Sequence, residues 1–525
     1  MPVEVAPKIK VLWVDDEIDL LKSHIVFLKQ KDILVTPLTN GEDALDLVQT
    51  EDFDLVFLDE NMPGLNGLDT LLQLKNLKPL MPVVMITKSE EERVMETAIG
   101  SKIADYLIKP VNPNQILSSV KKIVQGQQLV NRQVNSNYQR SFSELSMALM
   151  DSPNADEWQD LYRRLVYWEL ELDHTTGGSM QEVFQAQKTE ANVNFCKYVG
   201  KNYLNWVNAG AADRPVMSPD VLERKVLPYL KKGEPPVFLF LVDCLRFDQW
   251  KMFEQVLADD FQVVLDDMYY SILPTSTQYA RNALFAGLWP DQIAERFPQH
   301  WVHDDESTGK NLHEEEFLKA FLKRKNLNIR HQYHKLLTVE AGRQYVETIR
   351  NGLHNDLNVV VINFIDLLTH ARSEMNIVKE LAPDEAALRS ITKSWIRHSS
   401  FLEMLRALKG TPARIIITTD HGSVRVKRPV RIIADRDTTT NLRYKHGRNL
   451  NYDEKTRQVL TVRRPAEARL PKSTVSGTYA FATEDNFFVY PNNYNQYVNL
   501  FKDTFQHGGL SLEEVLIPFV VLESR

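Results

Sequence analysis

Short runs of β-branched and aliphatic residues, several finishing on an acid, recur in two separate blocks of this chain. In the first block they are IKVLWV at 9–14, ILVTPL at 33–38, LVFLD at 55–59, PVVMIT at 82–87 and DYLIK at 105–109, with helix-length amphipathic sequence between them. That alternation predicts parallel βαβ units in a doubly wound sheet. In the second block the clearest runs are VFLFLVD at 237–243, NVVVINFID at 358–366, RIIITTD at 414–420 and EVLIPFVVL at 514–522. Near-continuous apolar strands are those buried on both faces, so a second, mostly parallel sheet under helices is expected.

Between the blocks the strand pattern stops. VNRQVNSNYQRSFSELSMALM reads as helix, Ser152-Pro153 as a break, and ADEWQDLYRRLVYWELEL as a second helix, before a Gly177-Gly178 turn and a third helix ending near Trp206. Trp158, Leu161, Leu165 and Trp168 fall close to one helical face, as a core stripe or as a dimer or ligand surface. The expected organisation is therefore an α/β domain at 1–125, a helical-bundle linker at 126–213 and a second α/β domain at 214–525. The chain's 525 residues agree with three or four domains, and 43% apolar with 25% charged residues exclude a mainly disordered or low-complexity chain. No helix-turn-helix or basic recognition helix is seen, so a DNA-binding module is not expected.

Cys196 and Cys244 are too few for a disulfide framework or a thiolate zinc cluster, which suits a reducing compartment. The start has no long apolar stretch, and the longest strongly apolar run, Val237–Val242, is far short of the roughly eighteen residues of a membrane helix. No membrane insertion is expected, and the cytoplasm is the expected location. Formal net charge is −8, and residues 1–125 hold 13 Lys and Arg against 20 Asp and Glu. Excess acid there argues against nucleic-acid binding by the first domain and for a metal pocket.

In a parallel α/β sheet functional groups gather at the carboxyl ends of the strands. In the first domain those ends carry Asp15 and Asp16, Asp59, Thr87 and Lys109-Pro110. Converging carboxylates repel one another and need a cation, and oxygen ligands without His or Cys point to magnesium. A carboxylate there could accept a phosphoryl group, with Lys109 and Thr87 neutralising its oxygens. In the last domain the acids are Asp243, Asp366 and Asp420, and histidines accompany them: His370 four residues after Asp366, His421 directly after Asp420, and His507 in QHGGLSLEEVLIP. Mixed Asp and His ligands indicate zinc or manganese rather than magnesium alone. Residues 425–448 hold eight Lys and Arg, at 425, 427, 428, 431, 436, 443, 445 and 448, and are either an anion-attracting segment, with Lys445 or Arg448 on phosphate, or a solvated insertion.

The first domain resembles a response-regulator receiver domain, flavodoxin-like in fold, throughout its length: the Asp15-Asp16 pair, Asp59 in LDENMPGLNG, Thr87, Tyr106 and Lys109-Pro110 all match. The resemblance implies that a histidine kinase phosphorylates Asp59. It further implies one magnesium ion held by Asp15, Asp16, Asp59 and Asn61, switch roles for Thr87, Tyr106 and Lys109, and phosphorylation-promoted pairing near the fourth strand and fifth helix. The last domain resembles the alkaline phosphatase superfamily, most closely its PglZ branch. Carried over, one zinc ion is held by Asp366, His370 and His507, and a second by Asp243, Asp420, His421 and the nucleophile hydroxyl. That hydroxyl is expected in PTSTQYARNALFAG at 274–287. Thr275 is the first choice, Ser276 and Thr277 are the other positions, and helix capping is the alternative role.

These parts imply a two-component response regulator coupled to a zinc-dependent phosphodiesterase with a Thr nucleophile, acting on nucleotide or oligonucleotide diesters. A hydroxyl is activated there by a divalent metal, in two-metal phosphoryl transfer. The whole-chain order resembles response regulators tied to type IX secretion and gliding in Bacteroidetes, which implies a PorY-type kinase and links to a secretion-machinery component and a sigma factor. Two alternatives share the same residues: a metal-loaded docking platform for such partners, and a phosphomonoesterase or phosphomutase.

Overall fold

A computed structural model of the chain describes residues 9–78, 81–88, 103–173, 179–231, 233–302, 309, 311–374, 383–435, 438–453, 457–471 and 477–525, without the side chains of 125, 127–130, 132, 179 and 370–374. It divides into two units, one of residues 1–142 with 171–180 and one of residues 143–170 with 181–525.

In the first unit, β1 (Ile9–Val14), β2 (Ile33–Leu38), β3 (Leu55–Asp59), β4 (Val83–Thr87) and β5 (Asp105–Ile108) form a parallel sheet in the order β2-β1-β3-β4-β5. Alternation along the central strands sorts its two faces. Leu12, Val14, Val56, Leu58, Val83 and Met85 pack with Ala44, Val48, Leu71 and Leu74, whereas Val11, Trp13, Leu55, Phe57, Val84 and Ile86 pack with Leu28, Ile116 and Val120. Asn40, Asn66 and Asn112 each accept the backbone N–H three residues on and start the helices Gly41–Thr50, Gly67–Leu77 and Pro113–Val120. Residues 89–102, between β4 and β5, lie outside the described residues, and with them part of the face where pairing is expected.

The second unit is built on a six-stranded sheet of β6 (Val237–Val242), β7 (Phe261–Tyr270), β8 (His331–Leu336), β9 (Leu357–Ile362), β10 (Arg414–Thr418) and the late strand Leu516–Ser524. From one edge the order is β7, Leu516–Ser524, β10, β6, β9, β8. The late strand is antiparallel to both neighbours, and the β10-β6-β9-β8 pairs are parallel. The sheet is therefore mixed: apolarity reports burial, not direction. The expected strand 358–366 also ends early. After Ile362 the chain turns into the helix Phe364–Glu374, so Asp366 lies in the first turn of a helix.

The helices Gly126–Met150, Ala155–Asp173 and Ser179–Asn208 occupy the middle of the chain as expected. The tryptophan stripe is core: Trp158, Leu161, Leu165 and Trp168 are all buried. Trp158 packs on the next helix, and that helix in turn packs on the six-stranded sheet. Trp158 meets Phe195 edge-on at 5.3 Å, Phe195 and Trp206 both meet Tyr270 of β7, and Tyr270 donates its hydroxyl to Ala155 O at 2.7 Å. Large aromatic faces are covered most completely where a sheet edge offers another aromatic.

A buried ionic network fastens the same helices. Lys188 reaches Glu169 at 3.0 Å, Glu513 at 3.1 Å and Glu385 at 3.5 Å, while Arg389 joins Glu169 to Asp248 and Asp248 accepts from Arg246. Burial holds the Glu169 carboxyl up at about 7 although Lys188 and Arg389 oppose it. Both cysteines are buried, and Cys196 donates to Leu510 O. Among the described residues no helix is long and apolar enough to cross a membrane.

Candidate functional site

The receiver carboxylates converge as expected. Asp15, Asp16 and Asp59 offer oxygens within 4.8 Å of one another, and Lys109 Nζ lies 2.9 Å from Asp15 and 3.0 Å from Asp59. Burial raises the Asp59 carboxyl above its usual range, Asp15 and Asp16 add to this, and Lys109 opposes it. One lysine cannot neutralise three carboxylates, so the donor set suits a hard divalent cation. Thr87, fully buried, donates its hydroxyl to Glu60, and Tyr106 is hydrogen-bonded to Thr87. The sequence reading missed Glu60, which follows the phosphoacceptor directly. Asn61 is exposed beyond it.

In the effector unit the loops after β6 and β10 bring Asp243, Asp420 and His421 together, with ligand atoms within 4.8 Å. His421 Nε2 is 3.8 Å from Asp243 Oδ1 and 3.7 Å from Asp420 Oδ2. His507 Nε2 lies 3.5 Å from Asp366 Oδ1, and the two imidazoles stack with centroids 4.3 Å apart. His370 is in the helix of Asp366, and its side chain lies outside the described residues.

Both rings are oriented by the backbone. His421 Nδ1 is 3.1 Å from Gly422 O and His507 Nδ1 is 3.2 Å from Thr275 O. A carbonyl only accepts, so each Nδ1 carries a proton, and each Nε2 is the ring nitrogen turned to the carboxylates. Burial, then the neighbouring His421, lowers the basicity of His507. Asp243 is pushed well above its usual range by burial, with Arg281 opposing and Asp420 and Asp366 adding to the rise; its Oδ1 is buried without a hydrogen-bond partner. A carboxylate oxygen without a hydrogen-bond partner, 3.8 Å from an imidazole Nε2, fits a cation held between them.

The hydroxyl in this cluster is that of Thr277, the first residue of the helix Thr277–Ala286, with Oγ1 3.2 Å from His421 Nε2. Thr275, the first-choice nucleophile, is engaged elsewhere: its Oγ1 donates to Gly509 O at 2.8 Å and accepts from Gly508 N at 3.1 Å. Ser276 is the helix N-cap residue, its hydroxyl making no capping bond. Of the three hydroxyls offered by the sequence, the structure thus sets that of Thr277, at the start of the helix, against His421.

The sequence reading also missed Arg281, one helical turn after Thr277. Its fully buried guanidinium pairs with Asp243 and, through Nε at 3.0 Å, with Asp420, and Glu314 lies 3.4 Å behind it. Burial works against ionised Asp420, but Arg281 and His421 prevail and bring it down to about 2. The i, i+4 spacing from Thr277 is the signal that could have found Arg281.

The proposed phosphate contacts do not hold together. Lys445 is only 1% exposed, donates to Thr439 O at 2.8 Å and lies over the Tyr490 ring, and burial lowers it to about 7. It lies in the strand Tyr444–Gly447, whose first three residues are all buried, while Arg448 beyond that strand is exposed. Arg425 pairs with Asp503, Arg428 with Glu484 and Asp485, and Arg443 with Glu514. Much of the basic segment is thus already neutralised.

Comparison with known proteins follows the same division. Residues 11–121 match the response regulator receiver domain, 128–207 the PorX response regulator linker domain, and 221–522 the BREX system PglZ alkaline phosphatase-like domain. The alkaline phosphatase synthesis transcriptional regulatory protein PhoP of Bacillus subtilis is 33% identical over 117 residues, 22% of this chain and 48% of that protein. The alginate biosynthesis transcriptional regulatory protein AlgB of Pseudomonas syringae is 34% identical over 120 residues, 23% of this chain and 27% of that protein. The chain thus spans half or less of the curated relatives it matches. A solved CheY-like receiver domain from Methanospirillum hungatei is 25% identical and covers 23% of this chain and 96% of its own, with a TM-score of 0.22. A two-component response regulator from Clostridium difficile is 28% identical, covering 22% of this chain and 96% of its own, with the same TM-score of 0.22. With more than half of its length matched by one model, the chain belongs to the PglZ alkaline phosphatase-like family, carried here behind a response-regulator receiver domain and a PorX linker domain.

Proposed function

We propose that the chain is a two-component response regulator whose effector is a zinc-dependent phosphodiesterase, with Thr277 as nucleophile. The observation that carries this reading is the Thr277 hydroxyl 3.2 Å from His421 Nε2, beside Asp243 and Asp420. Asp243, Asp420, His421 and Thr277 would hold one zinc ion and Asp366, His370 and His507 the other. Bound there, the two ions supply positive charge that favours the ionised hydroxyl and the developing oxyanions. Thr277 Oγ1 loses its proton to solvent and forms a bond to phosphorus as the bond to the leaving alcohol breaks. Water then cleaves the phospho-threonine ester. Arg281 is held by carboxylates rather than free to clamp a monoester dianion, which favours diesters, of nucleotide or oligonucleotide class.

In this reading a PorY-type histidine kinase phosphorylates Asp59 beside one magnesium ion, and phosphorylation promotes pairing of two copies. The PorX linker match supports a place in type IX secretion and gliding, with a secretion component and a sigma factor as partners. The test is hydrolysis of a chromogenic phosphodiester and monoester by zinc-loaded protein, with and without beryllofluoride, and by Thr277→Ala. Diester turnover lost in Thr277→Ala and changed by beryllofluoride is expected. Absence of turnover in folded, zinc-loaded protein would leave the docking platform as the better account.

A further inference from the structure

We infer that Thr275 is a positioning residue for the ligand His507, acting through the two-glycine loop that follows it; this rests on the metal-dependent reading above. Three contacts converge on one residue. Thr275 O receives the His507 Nδ1 proton, Thr275 Oγ1 accepts from Gly508 N, and the same hydroxyl donates to Gly509 O. Thr275 itself is fully buried. One side chain and its carbonyl thus fix the ring, the amide after it and the carbonyl after that.

The loop needs such fixing because it is otherwise permissive. Gly508 has φ of +121°, where an added Cβ would also lie 2.7 Å from the Tyr444 ring and 2.9 Å from Asn441. Gly509 approaches Ala482 O so closely that an added Cβ would lie 2.4 Å from it. Glycines meet these demands but have no side chains to hold the loop in place. The restraint comes from outside it: Glu514 accepts from Gly509 N at 2.9 Å and is itself held by the buried Arg443, and Thr275 takes the other side. Freed from these bonds, His507 could turn, and its Nε2 would no longer face Asp366.

Thr275 therefore contributes zinc affinity rather than a nucleophile. Loss of a group behind a ligating histidine typically changes metal affinity by about 10–100-fold; Thr275→Ala keeps the carbonyl on Nδ1 and loses only the hydroxyl that holds the loop, so the lower end of that range applies. The test is a zinc competition titration with a chromophoric chelator on the full chain, with metal content measured after desalting. Thr275→Ala is expected to keep one zinc ion tightly and to bind the second about 10-fold more weakly. Thr275→Ser, which keeps the hydroxyl, is expected to bind both as the wild type does.

Diester turnover of Thr275→Ala should return at high zinc, whereas Thr277→Ala stays inactive at any zinc concentration. Circular dichroism and the retained first zinc ion report folding. If Thr275→Ala does not fold, Thr275→Ser decides, and a folded Thr275→Ser that loses one zinc ion overturns the inference. Two wild-type zinc affinities in folded Thr275→Ala overturn it as well, and turnover lost at saturating zinc would then restore Thr275 as nucleophile. The titration needs no turnover, so an inactive wild type sinks the phosphodiesterase reading and leaves this one standing or falling on zinc alone.

Discussion

Replacing Arg281 by Gln removes the guanidinium shared by Asp243 and Asp420. The Nε contact with Asp420 is 3.0 Å, and at an effective dielectric of about 20 a single pair at that distance is worth about 5 kcal/mol before desolvation. Desolvation takes back much of this, and breaking a buried pair from one side typically costs about 3–5 kcal/mol. Here the carboxylates left behind are fully buried, so the upper part of that range applies to the metal-free protein. In a unit of this size about 2 °C of melting temperature per kcal/mol gives a loss of about 8–10 °C. Zinc changes the sign of the comparison, because a divalent ion supplies the missing charge. The zinc-induced rise in melting temperature should be larger in Arg281→Gln than in wild type. Differential scanning fluorimetry in chelator and in zinc measures both. A chelated variant within about 1 °C of wild type, or a smaller zinc response, refutes the reasoning.

The Lys445 ammonium titrates near 7 in the folded chain because of burial, against an ordinary value of 10.5. The unfolded chain binds the extra proton between those values, so this group makes stability rise with pH from about 7 to 10. Lys445→Met should raise the unfolding midpoint most below pH 7 and flatten that rise, and a gain independent of pH counts against it. Truncating Trp158 to Ala should destabilise the second unit by about 3–5 kcal/mol in denaturant unfolding, since its ring is buried against Phe195 and Tyr198. A loss below 1 kcal/mol would mean the linker helices are not part of that core. In Gly422→Ala the new Cβ would lie 2.0 Å from Glu513 O, so His421 must shift. Zinc content below two ions per chain is expected, and an unchanged content would show that the loop can relax.

The sheets were legible because burial leaves its mark on composition: β1, β3, β4, β6, β9 and β10 are the apolar runs. Direction was not, since the strand Leu516–Ser524 looks like any buried strand whichever way it runs. Asp15, Asp59, Asp243, Asp420 and His421 could be found because each stands at or just past a strand end. What failed were matters of register and pairing. Thr275, Ser276 and Thr277 are chemically close, and only the start of a helix distinguishes them. Lys445 and Arg448 look alike as cations, yet one is inside a small sheet and the other outside. Arg281 escaped notice because its one mark, the i, i+4 spacing from Thr277, means something only once Thr277 is chosen.

The placement of Leu516–Ser524 between β7 and β10 bears on how the effector is made. A ribosome releases β7 and β10 long before the strand that must fill the gap between them. Until residues 516–524 emerge, both flanking strands carry open edges of apolar sequence, a setting that invites wrong partners. His507 arrives only just ahead of that strand, on the loop that Glu514 and Thr275 secure. Asp243, Asp420 and His421 are synthesised earlier but meet His507 only as the sheet closes. The nascent unit thus passes through a stage in which its acids are made but its Asp and His cluster is not complete, and chaperone shielding of the open edges at that stage would protect the fold.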